Sequence, residues 1–596
     1  MSRTVLSFHL FFSLVLSLAS VPLAVAQKGG SPRPTAPPGP IPDFSRLPDP
    51  TNQRDIRFQQ YDKTPLKFSS TTIYVLVPVV VTDNEGNHVS GLKKEDFHLL
   101  ENGKDQKVAS VEEIKPTATV VTRLATPTNE ITNQTSGDSS PRRLVIVALD
   151  IVNTPVLDQA RARQAMIAYL TDNIESDCLY QLVAIENNGL RILHDYTQDT
   201  RTLVATLKAA RSHFPTTNSV DTAALHGLSG DASPTTVPSM PVSDATGLPQ
   251  PTAVMDFITG QSEQAYGQMR QADAANSTLL AFQQIAERAS GIPGRKSLVW
   301  LTGSFPFSID PVSASVNEGL SFAAYQHTMQ LLESQLISVY PVDARGLLTT
   351  WPDASVHLSR KENAQAAAAL AEQSNRHLDT IQTMQAFADM TGGHAYVNTN
   401  DTRGAVRDAA LDGADYYMLS YPLDKSDRRP GWRKIEVKVG SYHVRARHGY
   451  FVTQTTMDPT NTAKYDIDNA LRSPLDYTGL PLRMSLTPPA PDGDKRKITF
   501  AMMTPPKSTK IDSEDKNHLN VDIAYAVWTA TGQDAGHKGA TYNLNLNPAE
   551  LQQITTKGLG YGDTLELPPG SYKLRLVVRD NLTGQIGSIS APLEVK

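Results

Sequence analysis

The sequence predicts an α/β fold, with a doubly wound, mostly parallel sheet flanked by two all-β sandwich domains. The first observation is an apolar run, Leu144–Leu149, that ends at Asp150 and is typical of a parallel strand buried on both faces. The second is that helical and strand patterns alternate from there to about residue 455, which favours one sheet with right-handed crossovers. The third is that strand patterns without helices dominate before residue 115 and after residue 462.

The N-terminal residues have the pattern of an export segment. Arg3 precedes an apolar stretch over 5–23, and Ala24, Val25 and Ala26 then form a small-x-small cleavage pattern. We therefore predict a signal peptide over 1–26, with an uncleaved N-terminal anchor as the alternative. After cleavage, the mature chain is expected to carry no transmembrane anchor.

Two β regions and two linkers surround the central part of the chain. A proline-rich linker is predicted over 27–65, where proline and glycine keep a chain extended. A β-branched run and two Asn/Gly turns then predict a small β-sandwich over 66–115. Residues 116–141 are rich in Ser, Thr and Pro and are predicted to be a linker. Alternation over 462–596 predicts a C-terminal, immunoglobulin-like sandwich.

The central α/β domain is predicted over 142–455. Its last strands are expected from the patterns within 416–447. A segment of low complexity, about 213–262, interrupts the alternation and is predicted to be a disordered or loop-like insertion.

Composition narrows the possible functions. The 596 residues carry a net charge of only −6, and no Lys/Arg run could neutralise a row of phosphates, so nucleic acid is not an expected partner. Cys178 is the single cysteine, which leaves no intramolecular disulfide or thiolate zinc cluster and suggests a bacterial periplasm or exterior. Phosphate-binding glycine motifs, zinc-protease motifs and nucleophile elbows are all missing from the sequence, so we predict that the protein is not an enzyme.

Polar residues at predicted strand ends mark the candidate site. Ligands of open α/β sheets bind at the carboxyl ends of the strands. We therefore place partner contact on the loops 150–155, 303–308 and 344–352. The candidate partner-binding residues on or beside these loops are Asn153, Ser304, Asp343 and Arg345. For Asp343 and Arg345, a structural ion pair is the alternative.

A series of motifs in a fixed order supports this layout. The motifs are 81–86 (VTDNEG), 91–97 (GLKKEDF), 149–154 (LDIVNT), 294–303 (GRKSLVWLTG), 340–346 (YPVDARG), 391–393 (TGG), 398–401 (NTND), 416–421 (YYMLSY) and 445–450 (RARHGY). Over about 70 to 450 the chain resembles the von Willebrand factor A (VWFA) family, in particular the VWFA-related domain of exported acidobacterial-type proteins. The resemblance implies export, a Rossmann-like sheet beside a β module, and protein binding.

The family's metal-ion-dependent adhesion site is only partly matched. The resemblance implies an Asp-x-Ser-x-Ser loop, in which Asp150 matches the acid, Thr154 replaces the second serine, and Val152 stands where the first hydroxyl belongs. Thr278 is the candidate for the family's loop threonine, whereas Gly303 and its neighbours offer no later aspartate.

A degenerate metal site is therefore one of two expectations for this loop. Mg²⁺ takes about six oxygen ligands, so Asp150, Thr154 and Thr278 with waters would bind it weakly. In the alternative, Asp150 has a structural role and caps the next helix. No other cofactor is expected.

These observations lead to one functional hypothesis with two alternatives. The leading hypothesis is an exported VWFA-like protein, periplasmic or on the cell surface, that mediates protein–protein binding or adhesion at the bacterial cell envelope. Its partner is an unidentified envelope protein. The alternatives are an envelope hydrolase that uses Asp150 or Asp343 in an unrecognised arrangement, and a purely structural envelope component.

Overall fold

The computed structural model describes most of the chain after residue 73. The described residues are 74–115, 130–134, 143–172, 178–187, 189–210, 272–303, 309–310, 315–316, 322–347, 360–412, 415–423, 431–452, 459–513 and 515–596. The predicted signal peptide, the proline-rich linker and the insertion at 213–262 lie outside them. Among the described helices, none combines the length and apolar character that crossing a bilayer requires.

The elements are labelled in chain order. The strands of the first half are β1 Tyr74–Thr82, β2 Phe97–Glu101, β3 Lys104–Gln106, β4 Ser110–Ile114, β5 Glu130–Thr132, β6 Leu144–Asp150, β7 Leu179–Glu186, β8 Gly189–Thr197, β9 Lys296–Thr302, β10 Ile309–Asp310, β11 Ser315–Val316 and β12 Ile337–Asp343. Those of the second half are β13 Tyr416–Pro422, β14 Gly431–Val439, β15 His443–Ala446, β16 Gly449–Val452, β17 Arg483–Leu486, β18 Ala490–Asp492, β19 Lys495–Met503, β20 His518–Thr529, β21 Asp534–Asn545, β22 Gly560–Leu567, β23 Gly570–Asp580 and β24 Ile586–Val595. The helices are α1 Val156–Asp172, α2 Thr200–Ala209, α3 over 272–289, α4 Phe322–Ser334, α5 Arg360–Thr391, α6 Thr402–Leu411, α7 Pro459–Arg472 and α8 Pro548–Lys557.

One five-stranded sheet carries the candidate site. Its order is β12-β9-β6-β7-β8, and its neighbours are parallel except for the antiparallel pair β7 and β8. All seven residues of β6 are buried, as the apolar run Leu144–Leu149 predicts. The odd-numbered residues of β6 share a core with α1, α2 and α6, and the even-numbered ones share a core with α3, α4 and α5. Burial of both faces explains the absence of alternation in this strand.

An antiparallel sandwich is built from two distant parts of the chain. One of its sheets has the order β15-β1-β13-β4, and the other has the order β16-β14-β2-β3. Val77, Leu99, Tyr417 and Leu419 lie in the apolar core that these strands form together. Three of the four strands before residue 115, β1, β2 and β4, pair with strands after residue 415, and β3 pairs with β2.

A second sandwich occupies the C-terminal part. One sheet has the order β18-β19-β17-β5, with β22 also paired to β19, and the other has the order β21-β20-β23-β24. Residues such as Phe500, Val521 and Leu576 fill the core between them. Strand β5 falls in the segment 116–141, which we predicted to be a linker, yet it pairs with β17.

The predicted fold class, a doubly wound and mostly parallel α/β sheet between two immunoglobulin-like sandwiches, is wrong for this chain. Most of the described strands lie in antiparallel sheets, and the one sheet with parallel neighbours is mixed. The pattern of strands within 416–447 follows helices along the chain, and for that reason we expected it to close the α/β sheet. These strands pair instead with β1, β2 and β4, because periodicity specifies a strand but not its distant partner.

Candidate functional site

Asp150 lies at the carboxyl end of β6 and is the centre of a closed hydrogen-bond network. The backbone N–H of Asn153 donates to Asp150 Oδ1 over 3.1 Å, and Asn153 Nδ2 lies 3.1 Å from Oδ1 and 2.9 Å from Oδ2. Trp300 Nε1 donates to Oδ2 over 2.9 Å, and Thr302 Oγ1 donates to the same oxygen over 3.0 Å. Both donors come from β9, the neighbouring strand, so the sheet pairing places them beside the carboxylate.

Burial and hydrogen bonding have opposite effects on this carboxyl group. Asp150 is only 2% exposed, and burial raises its pKa, which is about 6 once its hydrogen bonds are included. The hydrogen bonds from Asn153, Trp300 and Thr302 lower the pKa, because they stabilise the ionised form. The group therefore titrates above the ordinary range of aspartate.

The two predicted hydroxyl ligands join the same network. Asn153 Nδ2 also lies 2.9 Å from Thr278 Oγ1, and that hydroxyl donates to the carbonyl of Ala274 over 3.1 Å. Thr154 Oγ1 accepts the backbone N–H of Gly303 over 2.9 Å. The structure thus brings Asp150, Thr154 and Thr278 to one edge of the sheet, with the amide of Asn153 between Asp150 and Thr278.

The donor set at this edge does not fit a Mg²⁺ site. A hard cation needs oxygen lone pairs, whereas an amide N–H and an indole N–H point at the carboxylate of Asp150. The buried side chain of Val152 adds no oxygen. Within the described part of the chain, no group of three or more His, Cys, Asp or Glu residues could hold a metal ion.

The alternative prediction, that Asp150 caps the next helix, differs from the structure in detail. Helix α1 begins at Val156, and the backbone N–H bonded to Asp150 is that of Asn153, which precedes the helix. Asp150 therefore fixes the loop between β6 and α1 and does not cap the first turn of the helix itself. The carbonyls of Ile151 and Thr154 in this loop accept Gln159 Nε2 over 3.2 and 2.8 Å.

The residues that we predicted for partner binding face inward where the structure describes them. Asn153 and Asp343 are 1% and 0% exposed. Arg345 forms a bidentate pair with Asp343, with Nε to Oδ1 at 3.0 Å and a terminal nitrogen to Oδ2 at 2.9 Å. Ser304 lies outside the described residues. The described polar side chains of this edge thus hold its loops together, and a partner would have to contact other groups.

Two exposed leucines lie at this edge, and one of them falls within the loop 344–352 that we predicted for partner contact. Leu157, in the first turn of α1, is 83% exposed, and Leu347, just after β12, is 55% exposed. Arg161 connects their segments, because it donates to the carbonyls of Ala344 and Arg345 and pairs with Asp158 over 3.2 Å. Leu157 was not predicted, although it lies off the buried face of α1, and Leu347 lies in the predicted loop without having been singled out.

A separate titratable cluster lies between the mixed sheet and the C-terminal sandwich. Asp466 of α7 accepts Arg579 Nε of β23 over 3.0 Å and lies 3.8 Å from Nε2 of His327 on α4. Burial and, to a smaller extent, the Asp466 carboxylate raise the pKa of Glu287 on α3, Arg579 lowers it, and the resulting pKa is about 8. Burial also raises the pKa of Asp466 and lowers that of His327. None of these residues was singled out from sequence.

Comparisons with known proteins give only distant likenesses. No protein-family model matches the chain, and no curated protein matches it. Among solved structures, an aerotolerance-related membrane protein from Bacteroides fragilis has a TM-score of 0.20 at 13% identity, covering 45% of this chain and 98% of that one. A pilus adhesin from Lactobacillus rhamnosus has a TM-score of 0.23 at 7% identity, covering 80% and 59%. A proximal thread matrix protein from the mussel byssus has a TM-score of 0.19 at 9% identity, covering 46% and 47%. Likenesses at these scores establish neither a family nor a function.

Proposed function

We propose that this chain is an exported, non-enzymatic binding protein of a bacterial cell envelope. In this proposal it contacts a protein partner through the carboxyl edge of the mixed sheet, and the contact needs no metal ion. Export rests on the charged start, apolar stretch and cleavage pattern of residues 1–26. The VWFA resemblance is part of the same proposal, and it supplies the expectation of protein binding.

The observation that carries the proposal is the pair of exposed leucines at this edge. Single exposed apolar residues are common, but Leu157 and Leu347 lie on segments that Arg161 ties together. Interface cores are depleted in charge and rich in apolar contact, with a polar rim around them. The Arg161–Asp158 pair would supply part of such a rim.

The polar network below the leucines supports a binding role that does not depend on a cation. The carboxylates of Asp150 and Asp343 are both buried and both accept internal donors. Each oxygen of the two carboxylates accepts at least one donor from the chain itself. The network would keep the loops rigid, and rigid loops lose less conformational entropy when a partner binds.

Capture of envelope proteins tests the proposed surface. Immobilised full-length protein is exposed to detergent-solubilised envelope of the source bacterium, and bound proteins are identified by mass spectrometry. We expect the double variant Leu157→Asp/Leu347→Asp to capture at least tenfold less of a partner that the wild type captures specifically. The matched control is Leu411→Asp/Leu582→Asp, because Leu411 is 48% exposed at the far end of α6 and Leu582 is 37% exposed in the C-terminal sandwich. Equal loss in both variants, or in neither, would contradict the proposed contact.

Calorimetry tests the independence from metal. The full-length protein and Asp150→Ala are titrated with Mg²⁺, Mn²⁺ and Ca²⁺ separately. We expect no heat above dilution for any ion. Binding by the wild type that disappears in Asp150→Ala would instead assign a working metal site to this loop.

A further inference from the structure

Strand β21 is a long and open edge of the C-terminal sandwich. It spans twelve residues, Asp534–Asn545, and stands at the end of the order β21-β20-β23-β24. No described strand pairs with its outer side. Natural edge strands are usually protected by shortness, proline, charge or bulges. Between Gly539 and Asn545 this strand has no proline and no charged residue, and its one irregularity lies at the other end, near Gly536.

The hydrogen-bond phase of the ladder shows which backbone groups are unpaired. The N–H of Leu546 donates to the carbonyl of Asn517, which makes these two residues a bonded pair with β20. The same register continues to the pair of Val527 with Gly536. Bonded and non-bonded pairs alternate in an antiparallel ladder, so every second residue directs its N–H and C=O outward. The outward residues of the regular segment are His537, Gly539, Thr541, Asn543 and Asn545, and all are exposed.

We propose that this edge binds a second copy of the chain, with β21 paired antiparallel to β21 across a two-fold axis at Thr541. Thr541 is the midpoint of the regular segment, so this register uses every outward residue. Thr541 then opposes itself, and Gly539 opposes Asn543 of the second copy. The two four-stranded sheets become one continuous sheet.

The side chains on the inner face favour a copy of the chain over an unrelated strand. Ala540 and Tyr542 lie at equal distances from the axis, so each tyrosine opposes an alanine of the other copy. Tyr542 already packs against the sandwich core, and the opposing alanine leaves space beside it. Lys538 would oppose Leu544, so no like charges meet, and its ammonium group is held by Asp563 at 2.8 Å. Self-complementary contact of this kind is what a two-fold interface requires.

Cysteine crosslinking tests both the contact and its register. In Thr541→Cys the two new thiols would lie on directly opposed residues, whose Cα atoms are about 5.5 Å apart in a bonded pair. That distance is within the range of disulfides, about 4.4–6.8 Å. In the matched variant Asn543→Cys, the thiols would lie four residues apart along the strands, about 13 Å, and cannot join. The native Cys178 is buried and does not interfere.

We expect full-length Thr541→Cys to form a disulfide-linked dimer under mild oxidation and Asn543→Cys to remain unlinked. Failure of Thr541→Cys to crosslink, or crosslinking of Asn543→Cys in its place, would overturn the proposal. A mixed disulfide between Thr541→Cys and a different polypeptide would assign the edge to another partner and would also overturn it.

Sedimentation velocity gives an independent readout with a second pair of variants. We expect the wild type to sediment as a dimer at micromolar concentration. Thr541→Pro should be monomeric, because it removes an outward N–H without removing a bond to β20. Thr541→Val keeps the N–H and should remain dimeric. A monomeric wild type at all concentrations would overturn the proposal, and circular dichroism verifies that Thr541→Pro is folded. The crosslinking result decides the matter if it is not.

Discussion

The hydrogen bond from Trp300 to Asp150 gives a stability effect whose size depends on pH. The substitution Trp300→Phe removes the indole N–H that lies 2.9 Å from Asp150 Oδ2. It keeps an aromatic ring against Phe282 and Phe387, whose ring centroids lie 5.2 and 5.6 Å from that of Trp300. The lost volume costs about 1 kcal/mol at any pH.

The pH-dependent part follows from the charge of the acceptor. The pKa of Asp150 is about 6, so at pH 8 the carboxyl group is ionised and at pH 5 it is mostly protonated. A hydrogen bond to a charged acceptor contributes about 1.5–3 kcal/mol, and one to a neutral acceptor contributes about 0.5–1.5 kcal/mol. We therefore expect Trp300→Phe to destabilise the sheet by roughly 1–1.5 kcal/mol more at pH 8 than at pH 5.

Urea unfolding at the two pH values measures this difference. Circular dichroism follows the whole chain, and hydrogen exchange of peptides from β6 and β9 reports the sheet locally. The matched control is Trp432→Phe, because Trp432 packs on Phe451 and donates to no carboxylate among the described residues. Its deficit should be the same at both pH values. A Trp300→Phe deficit that is equal at pH 5 and pH 8, or larger at pH 5, would refute the role assigned to this bond.

Three further predictions concern Asp150, Glu287 and Gly393. In the wild type, Asp150 has a raised pKa, so between pH 3.8 and pH 6 the folded form holds a proton that the unfolded form releases. The free energy of unfolding should therefore fall by about 3 kcal/mol over this range and then level off. A rise in the stability of β6, measured by hydrogen exchange over the same range, would contradict this prediction. Because glutamine stays neutral, Glu287→Gln should gain stability relative to wild type from about pH 4.5 to pH 8, by up to about 5 kcal/mol. Thermal melts whose difference stays constant across this range would argue against it. Gly393→Ala should lower the free energy of unfolding, measured in urea titrations, by about 1–3 kcal/mol or more, because its Cβ would lie 2.0 Å from the carbonyl oxygen of Val339. The control Gly539→Ala should be neutral, because the nearest atom to its Cβ would lie 3.5 Å away.

The sequence predicts those elements whose burial is apparent from the local pattern of apolar and polar residues. Strand β6 is such a case, because burial on both faces leaves an unbroken apolar run that ends at Asp150. The pairing of β13 with β1 and β4 was not predictable in this way, since nothing within 416–422 specifies a partner before residue 115. The same limit explains the mistaken fold class.

At the candidate site, the sequence likewise predicted some of the residues but not their contacts. Resemblance led to Asp150, Thr154 and Thr278, which the structure places together at one edge. It could not show that the amide of Asn153 and the indole of Trp300 donate to Asp150, because those contacts depend on side-chain directions in the folded sheet. Exposure of Leu157 and Leu347 likewise becomes visible only when the neighbouring loops are in place.

Strands β1–β4 precede the mixed sheet in the sequence, and strands β13–β16, which complete the same sandwich, follow it. This order has a consequence for folding. Glu101 and Tyr421, whose side chains bond in its core, are 320 residues apart in sequence. During synthesis, β1 and the edge of β2 that pairs with β14 emerge long before their partners, and they stay unpaired while the residues that follow them fold. Once the mixed sheet has folded, the two ends of the segment between β4 and β13 lie close together. Pairing the sandwich strands then closes an effectively short loop, and its entropic cost is smaller than the separation in sequence indicates. We therefore predict that the mixed sheet folds before the sandwich that flanks it.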